Sequence, residues 1–140
     1  LDVFKNTNVV VKKKQGDLGV ARAIYEYTKM GYTVLAPLSD SDKYDLVVDT
    51  GDGFLKVQVK TSRCKPTQKG QSGWLVNLAT RGGNTTTNTI RCREVADYDI
   101  LFVLVDTGDC WSIPTIALGD AKYSIKLGTT SGIKYAAYKL

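Results

Sequence analysis

A chain of 140 residues, 43% hydrophobic and 24% charged, has the size and composition of one ordinary globular domain, able to bury about two-thirds of its unfolded surface without disulfides or a structural metal. Its formal net charge is +5 and it contains no histidine, which excludes Ser-His-Asp and Cys-His hydrolases and any His-ligated metal centre. No apolar run approaches the roughly 20 residues of a membrane span, and the N-terminal stretch carries most of its charge after its apolar residues, the wrong order for an export signal. The three cysteines (Cys64, Cys92, Cys110) are far apart and form no CxxC pair, so a reducing, cytoplasmic setting is expected and a zinc site is not.

In chain order, residues 1–15 hold Val9-Val10-Val11 followed by Lys12, Lys13 and Lys14, and read as a short strand or an arm. Residues 17–30 read as the first helix, with Asp17 as its N-cap and Gly31 as its stop. Its apolar stripe is Val20, Ile24 and Tyr27, flanked by Ala21 and Ala23. Residues 32–37 read as a strand ended by Pro37. A hairpin follows over 44–61, turning at Gly51-Asp52, because Gly and Asp tolerate the positive φ that two-residue loops need. That register sets Asp45 across from Gln58 and Val47 across from Lys56. Leu46, Val48, Val57 and Val59 then share one face, and Asp45, Gln58 and Lys60 the other. Burying the four aliphatics is worth roughly 1.5–3 kcal/mol each, which resists a one-residue slip.

Residues 62–73 are a polar connector. Strand patterns over 73–80 and 89–95, joined by a polar loop at 81–88, suggest a long-looped hairpin of the kind that fits a DNA major groove. Residues 99–105 are the most apolar run, expected as a buried central strand. A strand over 110–114, a short helix or loop over 115–121, and late strands or edge elements over 123–127 and 134–140 complete the chain. There is no internal repeat or linker, so 1–140 is expected to form a single domain.

Charge is unevenly spread. Between Phe54 and Arg93 there are eight Lys/Arg and no acid, whereas the other hundred residues carry eleven basic and fourteen acidic groups. A basic stretch of this length suggests a polyanion-facing surface, with nucleic acid as the expected partner. Arg81, Arg91 and Arg93 are the candidates for base edges, since arginine can bond guanine O6 and N7 together. Lys12, Lys13, Lys14, Arg63, Lys65 and Lys69 are candidates for phosphates.

An acid, an amide and a lysine on one face of a hairpin suit metal-dependent phosphodiester hydrolysis. Asp45 would hold Mg²⁺ or Mn²⁺, Gln58 could offer its amide oxygen, and the Val59 carbonyl falls within the same reach. Lys60 would stabilise developing charge or orient the water. The same residues also describe a plain surface Asp–Lys pair.

Asp45, twelve intervening residues, then Gln58-x-Lys60 after a helix and a strand resembles the PD-(D/E)xK nuclease superfamily. GDLG at 16–19, GYTVLAP at 31–37, YDLVV at 44–48, VQVKTS at 57–62, WSIP at 111–114 and the closing KYAAYKL are similar to its group I intron-encoded homing endonucleases of cyanobacterial type. The resemblance implies an α/β restriction-endonuclease-like core with a mixed sheet, an N-terminal helix and an inserted β-ribbon, with 62–95 as the basic, DNA-contacting insertion. It implies site-specific, Mg²⁺-dependent cleavage of duplex DNA by a homo-oligomer, a tetramer rather than a dimer. A junction-cutting nuclease on the same fold is the alternative. Three positions depart from the pattern. Tyr44 replaces a proline, Gln58 replaces an acid as is typical of this homing branch, and Val20 stands where the family places a helix glutamate aimed at the metal. Either the chain is a catalytically impaired, DNA-binding form, or Glu26 substitutes from about 120° round the helix.

Overall fold

The computed structural model describes residues 2–5, 8–39, 43–63, 65, 72–82 and 89–140, so Cys64, Lys69 and the tip of the 81–88 loop lie outside the described residues. The helix α1 (Val9–Lys29) is followed by strands β1 (Thr33–Leu35), β2 (Leu46–Asp49), β3 (Phe54–Ser62), β4 (Trp74–Asn77), β5 (Thr80–Gly82), β6 (Thr89–Arg91), β7 (Ile100–Val105) and β8 (Cys110–Pro114). A short helix α2 (Thr115–Leu118), β9 (Ser124–Leu127) and a 3₁₀ helix (Thr130–Tyr138) end the chain. The main sheet runs β1-β2-β3-β7-β8 and is mixed: β3 and β7 are parallel, and the other neighbours are antiparallel. This is the expected α/β architecture.

The hairpin has the expected register. Leu46 faces Val57 and Val47 faces Lys56, and Leu46, Val48, Val57 and Val59 are all buried. The positive φ of the turn falls on Gly51 alone, at +87°, and Asp52 stays in the ordinary region. β7 is buried along nearly its whole length, because both faces of the sheet are covered. On one face α1 packs through Ala23 and Tyr27 against Leu46, Val48, Val57, Phe102 and Leu104. On the other, Leu101, Val103, Trp111 and Ile113 meet Val76, Ile125, Leu127 and Tyr135.

Several expectations are corrected. α1 begins eight residues before Asp17, capped by Asn8, whose side chain accepts the Val10 N–H at 3.0 Å. That capping bond and the burial of Val11 outweigh the weak helix preference of three consecutive valines. Residues 9–14 are therefore helix, with Lys12, Lys13 and Lys14 exposed on it. The buried line of α1 is Val11, Gly19, Ala23 and Tyr27, and Ile24 is 40% exposed. β4 pairs with β9 and not with the strand after the loop; only the short β5 and β6 form a ribbon. Residues 134–138 belong to the 3₁₀ helix, capped by the Thr129 hydroxyl accepting from Gly132 N–H, and Lys139 and Leu140 make the strand-like backbone pairing with the edge of β8.

Gly19 marks the closest approach of α1 to β3. A Cβ there would stand 2.6 Å from Thr61 Cγ2 and 3.1 Å from Val59 Cγ1. Gly19→Ala is expected to push the helix off the strand and to cost about 1–3 kcal/mol. A urea midpoint equal to that of the parent would show the contact to be slack.

Candidate active site

The site forms where β2 and β3 part. The last strand-to-strand contact on this side is the Asp45 N–H donating to the Val57 carbonyl at 2.8 Å. The next β3 donor facing the same way, Val59 N–H, has no β2 backbone to meet. Asp45 Oδ2 accepts it at 2.7 Å, so a side chain continues the ladder past the end of the strand. Gln58 Nε2 donates to the same Asp45 oxygen at 2.6 Å and to the Val59 carbonyl at 3.2 Å. A carboxylate oxygen and a backbone carbonyl oxygen thus converge on one point, held by an amide N–H₂. Gln58 presents nitrogen there, whereas its oxygen was the expected ligand. The two ends of an amide are close in size, so the inverted amide fits the same space.

Lys60 lies two residues further along β3 on the face shared with Gln58, beside Val103 of β7. Asp45 and Lys60 are both half-buried. Burial pushes the Asp45 carboxyl above its ordinary range, against the Val59 N–H and the Lys60 charge, which pull it down. Burial likewise pulls the Lys60 ammonium below its ordinary range, and only the Asp45 charge resists. Each group is thus held in a setting that disfavours its charge, as happens at sites built for chemistry and not for stability.

Val20 follows Gly19 on α1 and is half-buried against the cluster that contains Val59. Arg22 reaches the Gly108 carbonyl in the β7–β8 turn at 3.0 Å. Position 20 is about 160° round the helix from Arg22 and so points away from the β7–β8 turn. Glu26 is no substitute. It is 4% exposed and is paired with Arg22 at 2.9 Å and Lys29 at 3.5 Å, on the β8 flank. Among the described residues, no three His, Cys, Asp or Glu side chains gather as a metal-binding group.

The basic candidates are dispersed. Lys12, Lys13 and Lys14 project from the first turns of α1. Arg63 donates to the Phe4 carbonyl at 2.8 Å, and the Lys65 ammonium sits 4.0 Å from the centre of the Trp74 ring. Arg81 lies on β5 of the ribbon, and Arg91 on β6 is paired with Asp97 at 3.2 Å. Arg93 is a correction. It is 4% exposed, with its guanidinium donating to the carbonyls of Ala121 at 2.6 Å, Gly119 at 3.2 Å and Thr115 at 3.4 Å, and so has no base edge within reach. Its charge is spent on the carbonyls around α2.

Two residues near the site were not singled out beforehand. Gln15 Nε2 donates to the Thr61 hydroxyl at 2.9 Å, tying α1 to the end of β3. It stands one turn before Gly19, and that four-residue spacing was the signal available for it. Asp97 gathers Lys43 and Arg91, and nothing local in the sequence marks it.

Residues 10–134 match the sequence profile of the PD-(D/E)XK endonucleases. Protein 5.3 of Escherichia phage T7 is 39% identical over 82 residues, covering 59% of this chain. The match spans 63% of the phage protein's length, under two-thirds of it. The solved structure of the bacterial homing endonuclease I-Ssp6803I superposes with a TM-score of 0.75 at 26% identity, over 91% of this chain and 87% of that one. No described helix is long and apolar enough to cross a membrane.

Proposed function

Since the chain belongs to the PD-(D/E)XK endonuclease family, we propose that it hydrolyses phosphodiester bonds in double-stranded DNA with the help of a divalent metal, in the service of intron homing. The observation that carries this reading is the convergence of Asp45 Oδ2 and the Val59 carbonyl on a single point, with Lys60 on the same face. That point already attracts a donor with partial positive charge, and its oxygens are hard, so Mg²⁺ or Mn²⁺ fits in kind. The fit is weak in charge, because Asp45 is the one anion at that point among the described residues. Asp45, the Val59 carbonyl and the inverted Gln58 amide would hold the ion. What such an ion supplies when bound is polarisation of the phosphate and a more acidic water.

The protein's own contribution is positional. Gln58 and the Val59 N–H fix the Asp45 carboxylate from two sides. Lys60, kept half out of water, meets a phosphate oxygen with a field stronger than an exposed lysine could provide. Lys12, Lys13, Lys14, Lys65 and Arg63 are the backbone contacts in this reading, and Arg81 and Arg91 on the ribbon within 62–95 are the base contacts. The name of the similar homing endonuclease supports the setting. A tetramer, in which pairs of copies make the two nicks, is part of the proposal.

Val20 favours a second reading, a DNA-binding form with impaired chemistry. A library of random linear duplexes, incubated with Mg²⁺ and separately with Mn²⁺, decides between them. Recovery of a common cut sequence is the expected result. Metal-free gel shifts without cleavage under either ion would leave the second reading standing, and cutting confined to branched junctions would overturn site-specific cleavage.

A further inference from the structure

Three segments meet on the Asp97 carboxylate. Lys43 Nζ and Arg91 Nη2 both reach Oδ1, each at 3.2 Å, and the Glu94 N–H reaches Oδ2 at 2.9 Å. Lys43 lies two residues ahead of Asp45, and Arg91 ends β6 of the ribbon. The Asp97 side chain is 10% exposed, whereas those of Lys43 and Arg91 are 49% and 41% exposed. Burial raises the carboxyl, but the Glu94 N–H and the two cations outweigh burial and hold it below its ordinary range, so it is ionised at neutral pH. The single Asp97 charge is shared by two cations on one oxygen, and Arg91 Nη2 also lies 3.8 Å from the exposed Glu94 carboxylate, so either cation can be drawn away while the other keeps its bond to Asp97.

We propose that Asp97 is a specificity-determining positioning residue that withholds Arg91 from DNA of no particular sequence and yields it to a base edge. The proposal rests on the DNA reading above. A guanidinium held by a carboxylate gains little by exchanging it for a lone phosphate, since one charge-assisted bond replaces another. A guanine edge offers two acceptors in one plane and repays the exchange. When Arg91 leaves, Lys43 has Oδ1 to itself, and the segment entering Asp45 is held more tightly. Correct contact on the ribbon is thereby registered at the site.

The test uses a random-sequence duplex without metal, with affinity followed by fluorescence anisotropy through a salt series. Arg91→Ala is expected to lower the slope by well under one phosphate contact, because Asp97 and not a phosphate holds the guanidinium on such DNA. Asp97→Asn is expected to steepen the plot of log affinity against log salt by about 0.9, the value of one added phosphate contact. The double variant Arg91→Ala/Asp97→Asn should return to the parent slope. A steeper slope that survives in the double variant would mean that loss of an acidic charge is responsible, and would overturn the proposal. So would a fall of about 0.9 in slope for Arg91→Ala alone, a result that decides the matter even if Asp97→Asn does not fold. Failure of the parent to bind any duplex at low salt would remove the DNA reading and this inference together. Duplex binding with no change in slope for Asp97→Asn would remove this inference alone.

Discussion

Val20→Glu is expected to raise Mg²⁺-dependent cleavage of duplex DNA on the order of 10²-fold at limiting metal, because a second carboxylate adds a direct charge to a site that has one. Position 20 sits one residue past Gly19, where α1 rests on Val59 and Thr61, and it points away from the Arg22 side of the helix. Of the two acids on α1, Asp17 is exposed one turn before position 20, and Glu26 is committed to Arg22 and Lys29. The substitution also places a charge where Val20 is half-buried, so the metal-free protein should melt lower than the parent and recover on adding Mg²⁺. A Mg²⁺ titration of cleavage, with the melting temperature followed in parallel, reads both effects. If the metal requirement and the rate are unmoved, the missing helix acid is not what limits this chain.

Asp45→Asn should abolish cleavage, by about 10³-fold or more, and make the protein more stable at neutral pH. The second effect follows from sign. The folded-state pKa of Asp45 is raised by burial, so its contribution to stability is present at low pH and lost as pH rises through that pKa. At neutral pH the carboxylate is a cost, and an asparagine removes the charge while its oxygen still accepts from Val59 N–H and Gln58. Lys60 has the opposite sign. Its pKa is lowered, so its contribution is present at high pH and lost as pH falls through the folded-state value. Melting curves of parent and variant should differ by a few degrees at neutral pH and converge in acid, where the parent's Asp45 is itself protonated. A variant that melts below the parent at neutral pH would mean that the Asp45 charge is needed for the fork to close.

The hairpin could be read residue by residue because two local signals agree there: a period-two apolar pattern and a turn whose glycine takes the positive φ. The trio of Asp45, Gln58 and Lys60 followed from that register. The start of α1 could not be read in the same way. GDLG looks like a helix boundary, yet Gly19 is in mid-helix because β3 leaves no room for a side chain. β4 carries strand-like residues but no mark of its partner, and β9, nearly fifty residues on, wins over the nearer strand. Arg93 reads as surface charge until the carbonyls of Thr115, Gly119 and Ala121 are seen to close around it. The departure expected at Val20 has no local signature either, since a valine on a helix is ordinary; it rests on the resemblance to a family.

Asp45 is held in place by more than its chemistry. Its side-chain oxygen stands in for a missing strand, so among common residues only asparagine could take over the Val59 N–H without opening the sheet. No such tie protects the helix position opposite. In a copy released from selection, change at position 45 would therefore be confined to asparagine, whereas the helix position would be open to many residues. A chain in that condition would still read as a nuclease from residue 44 to residue 61, with its loss recorded at a single position on α1.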